Sequence, residues 1–182
     1  MTTTSSARWC ISPSTIDCGP VGRELEERVV KTKKPASSKS SAKQKLIDGL
    51  NEDLSGEFQA VIMYRLFASM VQGPYRQELR TFFANEIPEE LTHAQLLADK
   101  ISALGGIPAA TAAPVTVVSD AKGMLEVSLQ AEIETLARYI RRRKQAEQAG
   151  EHGLATEIDT LIADETSHRD ELRQMLARWP NG

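Results

Sequence analysis

The sequence predicts an all-α fold, a four-helix bundle with a long crossover between its second and third helices. Three observations lead there. Four long segments repeat their apolar residues at three- and four-residue steps, the period of a helix buried along one face. Helix breakers separate these segments: Gly73-Pro74, Gly105-Gly106, Gly150 and Trp179-Pro180. Finally, 41% of residues are hydrophobic but only 5% aromatic, whereas a strand-rich sandwich draws more on aromatic and β-branched side chains.

The first helix is expected over 43–71, with a core stripe of Ile47, Leu50, Leu54, Glu57, Val61, Tyr64 and Ala68. The second covers 75–104 and buries Leu79, Phe83, Glu86, Glu90, His93, Leu97 and Ile101. The third covers 121–149, with Leu125, Leu129, Glu132, Leu136 and Tyr139 inward. The fourth runs over 154–177 on Leu154, Ile158, Leu161, Glu165, His168 and Leu172. Short turns make helices one and two, and three and four, antiparallel hairpins. The Pro/Ala/Val-rich stretch 107–120 is long enough to cross the bundle, so the hairpins lie parallel and do not continue up-and-down.

The bundle is assigned to 43–178 and 179–182 to a short C-terminal tail. Residues 1–42, rich in Ser, Thr, Lys and Pro without a lasting period, are expected to be a disordered tail. Between Lys31 and Lys45 lie six lysines and no acid. They form either a solubilising leader or a patch for nonspecific DNA contact through counterion release, without the interleaved aromatics that base stacking needs. A net charge of −3 gives the whole chain no strong bias toward nucleic acid or membrane. No apolar run approaches the ~18 residues of a membrane span. The hydroxyl-rich start lacks a secretory pattern, so the cytoplasm is the expected compartment, with an organelle transit peptide left open. Cys10 and Cys18 have no histidine beside them and read as free thiols.

The chemistry lies where carboxylates and histidines interrupt otherwise apolar stripes. An ionised carboxylate costs several kcal/mol to bury unless something compensates it, and four such interruptions call for a common compensator. Glu57 and Glu90 are 33 residues apart, as are Glu132 and Glu165, with each midpoint at a turn. Residues equidistant from an antiparallel turn lie at one depth, ~25 Å from the loop at about 1.5 Å per residue. Each second helix adds Glu-x-x-His, Glu90 to His93 and Glu165 to His168, which places both groups on one face. Adding 75 to Glu57, Tyr64, Glu90 and His93 gives Glu132, Tyr139, Glu165 and His168, an internal repeat of one hairpin. Carboxylate oxygen with imidazole nitrogen suits two divalent first-row ions, iron or manganese.

The segment LNEDLSGEFQAVIMYRLFASM resembles the first helix of bacterioferritins, EIPEELTHAQLLADKI their second and IADETSHRDELRQML their fourth. The resemblance to this ferritin-like family covers about residues 44–178. It implies that Glu57 and Glu132 are terminal ligands, that Glu90 and Glu165 bridge, and that His93 and His168 cap one iron each. The implied activity is oxidation of Fe(II) by O₂ or peroxide at a catalytic di-iron centre, with storage of ferric mineral inside a homo-oligomer. Leu91 stands where bacterioferritins carry a haem-binding methionine and offers no ligand atom, which argues against haem. Only 14 residues follow His168, too few for a fifth helix, so a dimer or a 12-subunit mini-ferritin competes with a 24-subunit shell.

Alternatives stay open at several residues. Tyr64 and Tyr139 either donate hydrogen bonds or electrons near the metals or are half-polar core residues. Glu86 is either a transient iron site or a solvated or partly buried neighbour of the ligands. Pro88 is expected to kink helix two, at ~3 kcal/mol in an ordinary helix. His152 and the run Arg141, Arg142 and Arg143 are expected at the surface, the arginines complementing the helix dipole. The rival functions are a Dps-like DNA-binding stress protein, a di-metal peroxidase or manganese catalase, and a metal-free adaptor. Thr135, one turn after Glu132, stands where rubrerythrins carry an extra glutamate, which argues against the peroxidase.

Overall fold

All four segments are helical in the computed structural model, which describes residues 38–180. Helix α1 spans Ser38–Met70, α2 Arg76–Ala103, α3 Ala121–Ala149 and α4 His152–Leu176, with no strand among the described residues. The expected ends hold to within two residues except at the start of α1, which begins at Ser38. Of the six lysines, Lys39, Lys43 and Lys45 therefore fall on α1, while Lys31, Lys33 and Lys34 lie outside the described residues, as do both cysteines.

Local chemistry sets the ends. Asp120 caps α3 by accepting the Gly123 amide at 2.8 Å, satisfying one of the donors that a helix start leaves free. Gly150 ends α3 at φ 83°, a left-handed conformation that costs glycine little. Gly73 and Gly105 serve the other turns with φ of 96° and 78°.

The hairpins α1–α2 and α3–α4 form as expected, α1 packs on α3, and α2 meets α4 through His93 against Glu165 and through Glu86 and Glu89 against His168. Direction can be read from contacts between α1 and α3. Asp53 meets Arg142, Glu57 meets Tyr139 and Tyr64 meets Glu132. Numbers rise along α1 as they fall along α3, so these helices are antiparallel and α2 runs parallel to α3. That order requires a crossover. Its backbone lies along α1: Asn51 accepts from the Ala109 amide at 2.7 Å and donates to the Ile107 carbonyl at 3.2 Å. Further on, the Ala113 amide reaches the Ser55 carbonyl at 2.8 Å, and Gln59 donates to Pro114 at 2.7 Å.

The core has two apolar layers. One holds Leu46, Leu50, Leu54, Leu97, Ile101 and Ile158, the other Met63, Phe67, Phe83, Met124, Leu125 and Leu172. Each fully buried side chain of this kind contributes about 1.5–3 kcal/mol. Between the layers the interior is polar. Helix α3 differs from its expected stripe: Leu129 and Leu136 are half-buried, and Ser128, Thr135 and Arg142 take the buried face. No described helix is long and apolar enough to cross a membrane.

Candidate metal centre

Each helix delivers its acids to the polar layer through the hairpin register. The structure brings together all six residues predicted from the sequence, as two overlapping groups. Glu57, Glu90, His93 and Glu165 form one, and Glu90, Glu132, Glu165 and His168 the other. Within each group, one ligand atom per residue lies within 4.8 Å of the others. Glu90 and Glu165 belong to both groups. His93 Nδ1 lies 3.1 Å from Glu165 Oε1 and 3.6 Å from both Glu57 Oε2 and Glu90 Oε2. His168 Nδ1 lies 4.0 Å from Glu165 Oε2.

Burial makes this arrangement costly. The four glutamates are at most 2% exposed and His93 is 3%. Glu57 Oε2, Glu90 Oε1, both Glu165 oxygens and the Nδ1 atoms of His93 and His168 have no hydrogen-bond partner. Native interiors rarely leave such groups unpaired, and these atoms all belong to residues of the two groups. The donor set, carboxylate oxygens and imidazole nitrogens converging on one another, fits divalent first-row cations.

Proton energetics carry the same strain. Burial, together with the Glu57 and Glu132 charges, holds Glu90 well above the usual carboxylate range. Glu165 is raised well above it by burial and by its contact with Glu132. At Glu57 burial acts upward too, but His93, Glu90 and Tyr139 outweigh it and keep the carboxyl below its ordinary value. Burial disfavours a charged His93, yet Glu165, Glu57 and Glu90 push its pKa up to about 12. Without cations, protons neutralise part of the centre.

Tyr139 donates its hydroxyl to Glu57 Oε1 at 2.6 Å and Tyr64 donates to Glu132, both buried. Burial and the adjacent carboxylates keep both phenols protonated well beyond their ordinary range, so each remains a donor that aims its terminal carboxylate. The donor reading offered by the sequence thus holds for both tyrosines. On the outer side of the histidines, His93 Nε2 lies 3.7 Å from Asp164. His168 Nε2 lies 3.2 Å from Glu86 and 3.3 Å from Glu89. His152 is exposed at the start of α4, Pro88 is exposed within α2, and Leu91 points outward at 50% exposure.

The arginines need a correction. Arg141 is exposed as expected, but Arg142 is 2% exposed. Its Nε donates to Asp53 Oδ2 at 2.6 Å, and Asp53 is itself fully buried one turn before Glu57. The Arg142 guanidinium fills the space where a side chain on Gly49 would stand, and that of Arg138 does the same at Gly56. Sequence reasoning missed this pair. The available signal was Asp53 on the inward face of α1, between two glycines seven residues apart in mid-helix.

Together these features define a helical-bundle protein with a buried carboxylate–histidine centre that could hold metal. The chain belongs to the ferritin-like domain family, whose pattern matches residues 47–181. Bacterioferritin from Brucella melitensis is 30% identical over 133 residues, covering 72% of this chain and 83% of that protein. Among solved structures, a ferritin-like diiron-carboxylate protein from Bacillus anthracis is 44% identical with a TM-score of 0.73. That match covers 74% of this chain and 97% of the other. A dodecameric thioferritin from Bacteroides fragilis, related to bacterioferritin, is 27% identical with a TM-score of 0.67, covering 74% of this chain and 86% of its own.

Proposed function

We propose that the protein is a ferroxidase that takes up Fe(II), oxidises it with O₂ or peroxide at an intra-subunit di-iron centre, and retains the ferric product. The observation that carries this reading is the pair of overlapping carboxylate–histidine groups sharing Glu90 and Glu165. Iron held there supplies the electrons. The residues do the rest. Glu57 with His93, and Glu132 with His168, would each hold one iron, and Glu90 and Glu165, common to both groups, could bind either. Tyr139 and Tyr64 orient the terminal carboxylates through their hydroxyls, and the apolar layers on either side exclude water.

Family membership supports iron over a metal-free adaptor, whose interior would hold four uncompensated glutamates. The exposed apolar side chains of Ile62, Tyr75, Leu91 and Ile140 are consistent with assembly into a homo-oligomer, and native mass measurement gives its size. The activity test adds Fe(II) to cation-free protein in air. Ferric absorbance should rise far faster than in a protein-free control, and Glu90→Ala and His168→Ala should each lose at least about tenfold in rate. Variants as fast as the parent would rule the centre out.

A further inference from the structure

The 75-residue repeat is broken against the centre at Glu86, as it is one turn outside it at Asp53, whose counterpart is Ser128. Glu89 has Asp164 as its counterpart, so each histidine has an acid from the opposite hairpin at its outer nitrogen. Glu86 has no acidic counterpart, because the equivalent residue is Leu161, a buried apolar side chain. The two halves are therefore unequal. His168 Nε2 has carboxylates at 3.2 and 3.3 Å, whereas His93 Nε2 has one at 3.7 Å. Glu86 is also the more sheltered of the two acids at His168, 13% exposed against 46% for Glu89. Its Oε2 is buried without a hydrogen-bond partner, and among the described residues its only ion-pair contact is His168.

We propose that Glu86 is a positioning residue for His168 that makes the Glu132–His168 position hold its divalent cation more tightly than the Glu57–His93 position, so the two fill in order. The inference rests on the di-metal reading above. Two physical effects support it. An imidazole that gives Nδ1 to a cation carries its proton on Nε2; at His168 Glu89 takes that hydrogen bond at 3.3 Å, and the Glu86 charge 3.2 Å from Nε2 favours the same tautomer and makes Nδ1 a stronger donor. Glu86 also places a weakly screened negative charge beside one cation position only. Its leading electrostatic partners are His168, Glu132, Glu89 and Glu171, of which His168 and Glu132 are donors of that position.

The test titrates the cation-free full-length protein with Co²⁺, following the visible absorption bands. Two resolved steps are expected. Glu86→Leu, which installs the residue found at the equivalent position, and Glu86→Gln, which keeps the shape without the charge, should each weaken the tighter step. A second-sphere partner of this kind is worth roughly 10–100-fold in affinity, and the weaker step should stay where it is. His168→Ala should remove the tighter step and His93→Ala the weaker one. Repulsion between two cations would also separate the steps, but the Glu86 variants would then leave the separation intact, and that result overturns the inference. So does a common shift of both steps, or loss of the tighter step in His93→Ala. If the parent binds no Co²⁺, the di-metal reading itself fails, and this inference with it.

Discussion

At the scale of single residues, the centre trades stability for cation binding. Glu90 sits buried with its carboxyl well above the ordinary range because burial and two neighbouring carboxylates oppose its charge. Glu90→Gln should therefore raise the melting temperature of the cation-free protein, by about 1–3 kcal/mol equivalent, and remove most of the further rise caused by Co²⁺. A cation-free variant that melts below the parent would contradict this. Tyr139→Phe removes the donor from Glu57 Oε1 and should cost about 1–3 kcal/mol in urea denaturation, because a buried carboxylate oxygen is left unsatisfied. The six centre residues were readable in the sequence because identical spacings recur in two hairpins, a coincidence that surface acids would not produce. Glu89 and Asp164 were not readable as partners of the histidines, whereas Glu86 was readable as a core-stripe acid beside the ligands. One residue from a ligand, an acid looks like any solvated helix residue until the opposite hairpin is in place.

At the scale of elements, the helices were legible because apolar periodicity and glycine-marked turns agree with each other. The buried face of α3 was not, since it depends on Arg142 finding Asp53 across the bundle. An arginine run reads as surface until its partner is known. Gly49 and Gly56 record that partnership in α1. Replacing a mid-helix glycine by alanine ordinarily stabilises by roughly 0.5–1 kcal/mol. Here Gly49→Ala should do the opposite, because its methyl group would stand 1.2 Å from the present place of Arg142 Nη1. Displacing Arg142 leaves Asp53 buried without its closest partner, and losing one side of such a pair costs about 3–5 kcal/mol. Chemical denaturation of the cation-free protein measures the sign, and a stabilised Gly49→Ala would show that the guanidinium can move aside without loss.

For the whole molecule, stability, protons and cations are linked. His93 has a folded pKa of about 12 against an ordinary 6.5. Its contribution is fully present below about pH 6.5 and declines as pH rises toward the folded value. Glu90 and Glu165, raised well above 4.5, lose stability in the same direction, through their own raised values. Glu57, lowered, has its contribution in place above 4.5. The cation-free protein should thus weaken from pH 6 to pH 8, while Co²⁺, by displacing protons, binds better over that interval. The Co²⁺-induced rise in melting temperature should grow between those two pH values; a constant or shrinking rise would count against proton–cation exchange at these residues. The antiparallel meeting of α1 and α3 has a consequence for protein splitting. Each hairpin owns half of the donor set, and only the crossover joins them covalently. Two separate polypeptides, severed after residue 116, should therefore re-form the bundle when produced together and bind two Co²⁺ ions, whereas either half alone should bind none with comparable strength. That behaviour would show that each hairpin carries its own half of the centre.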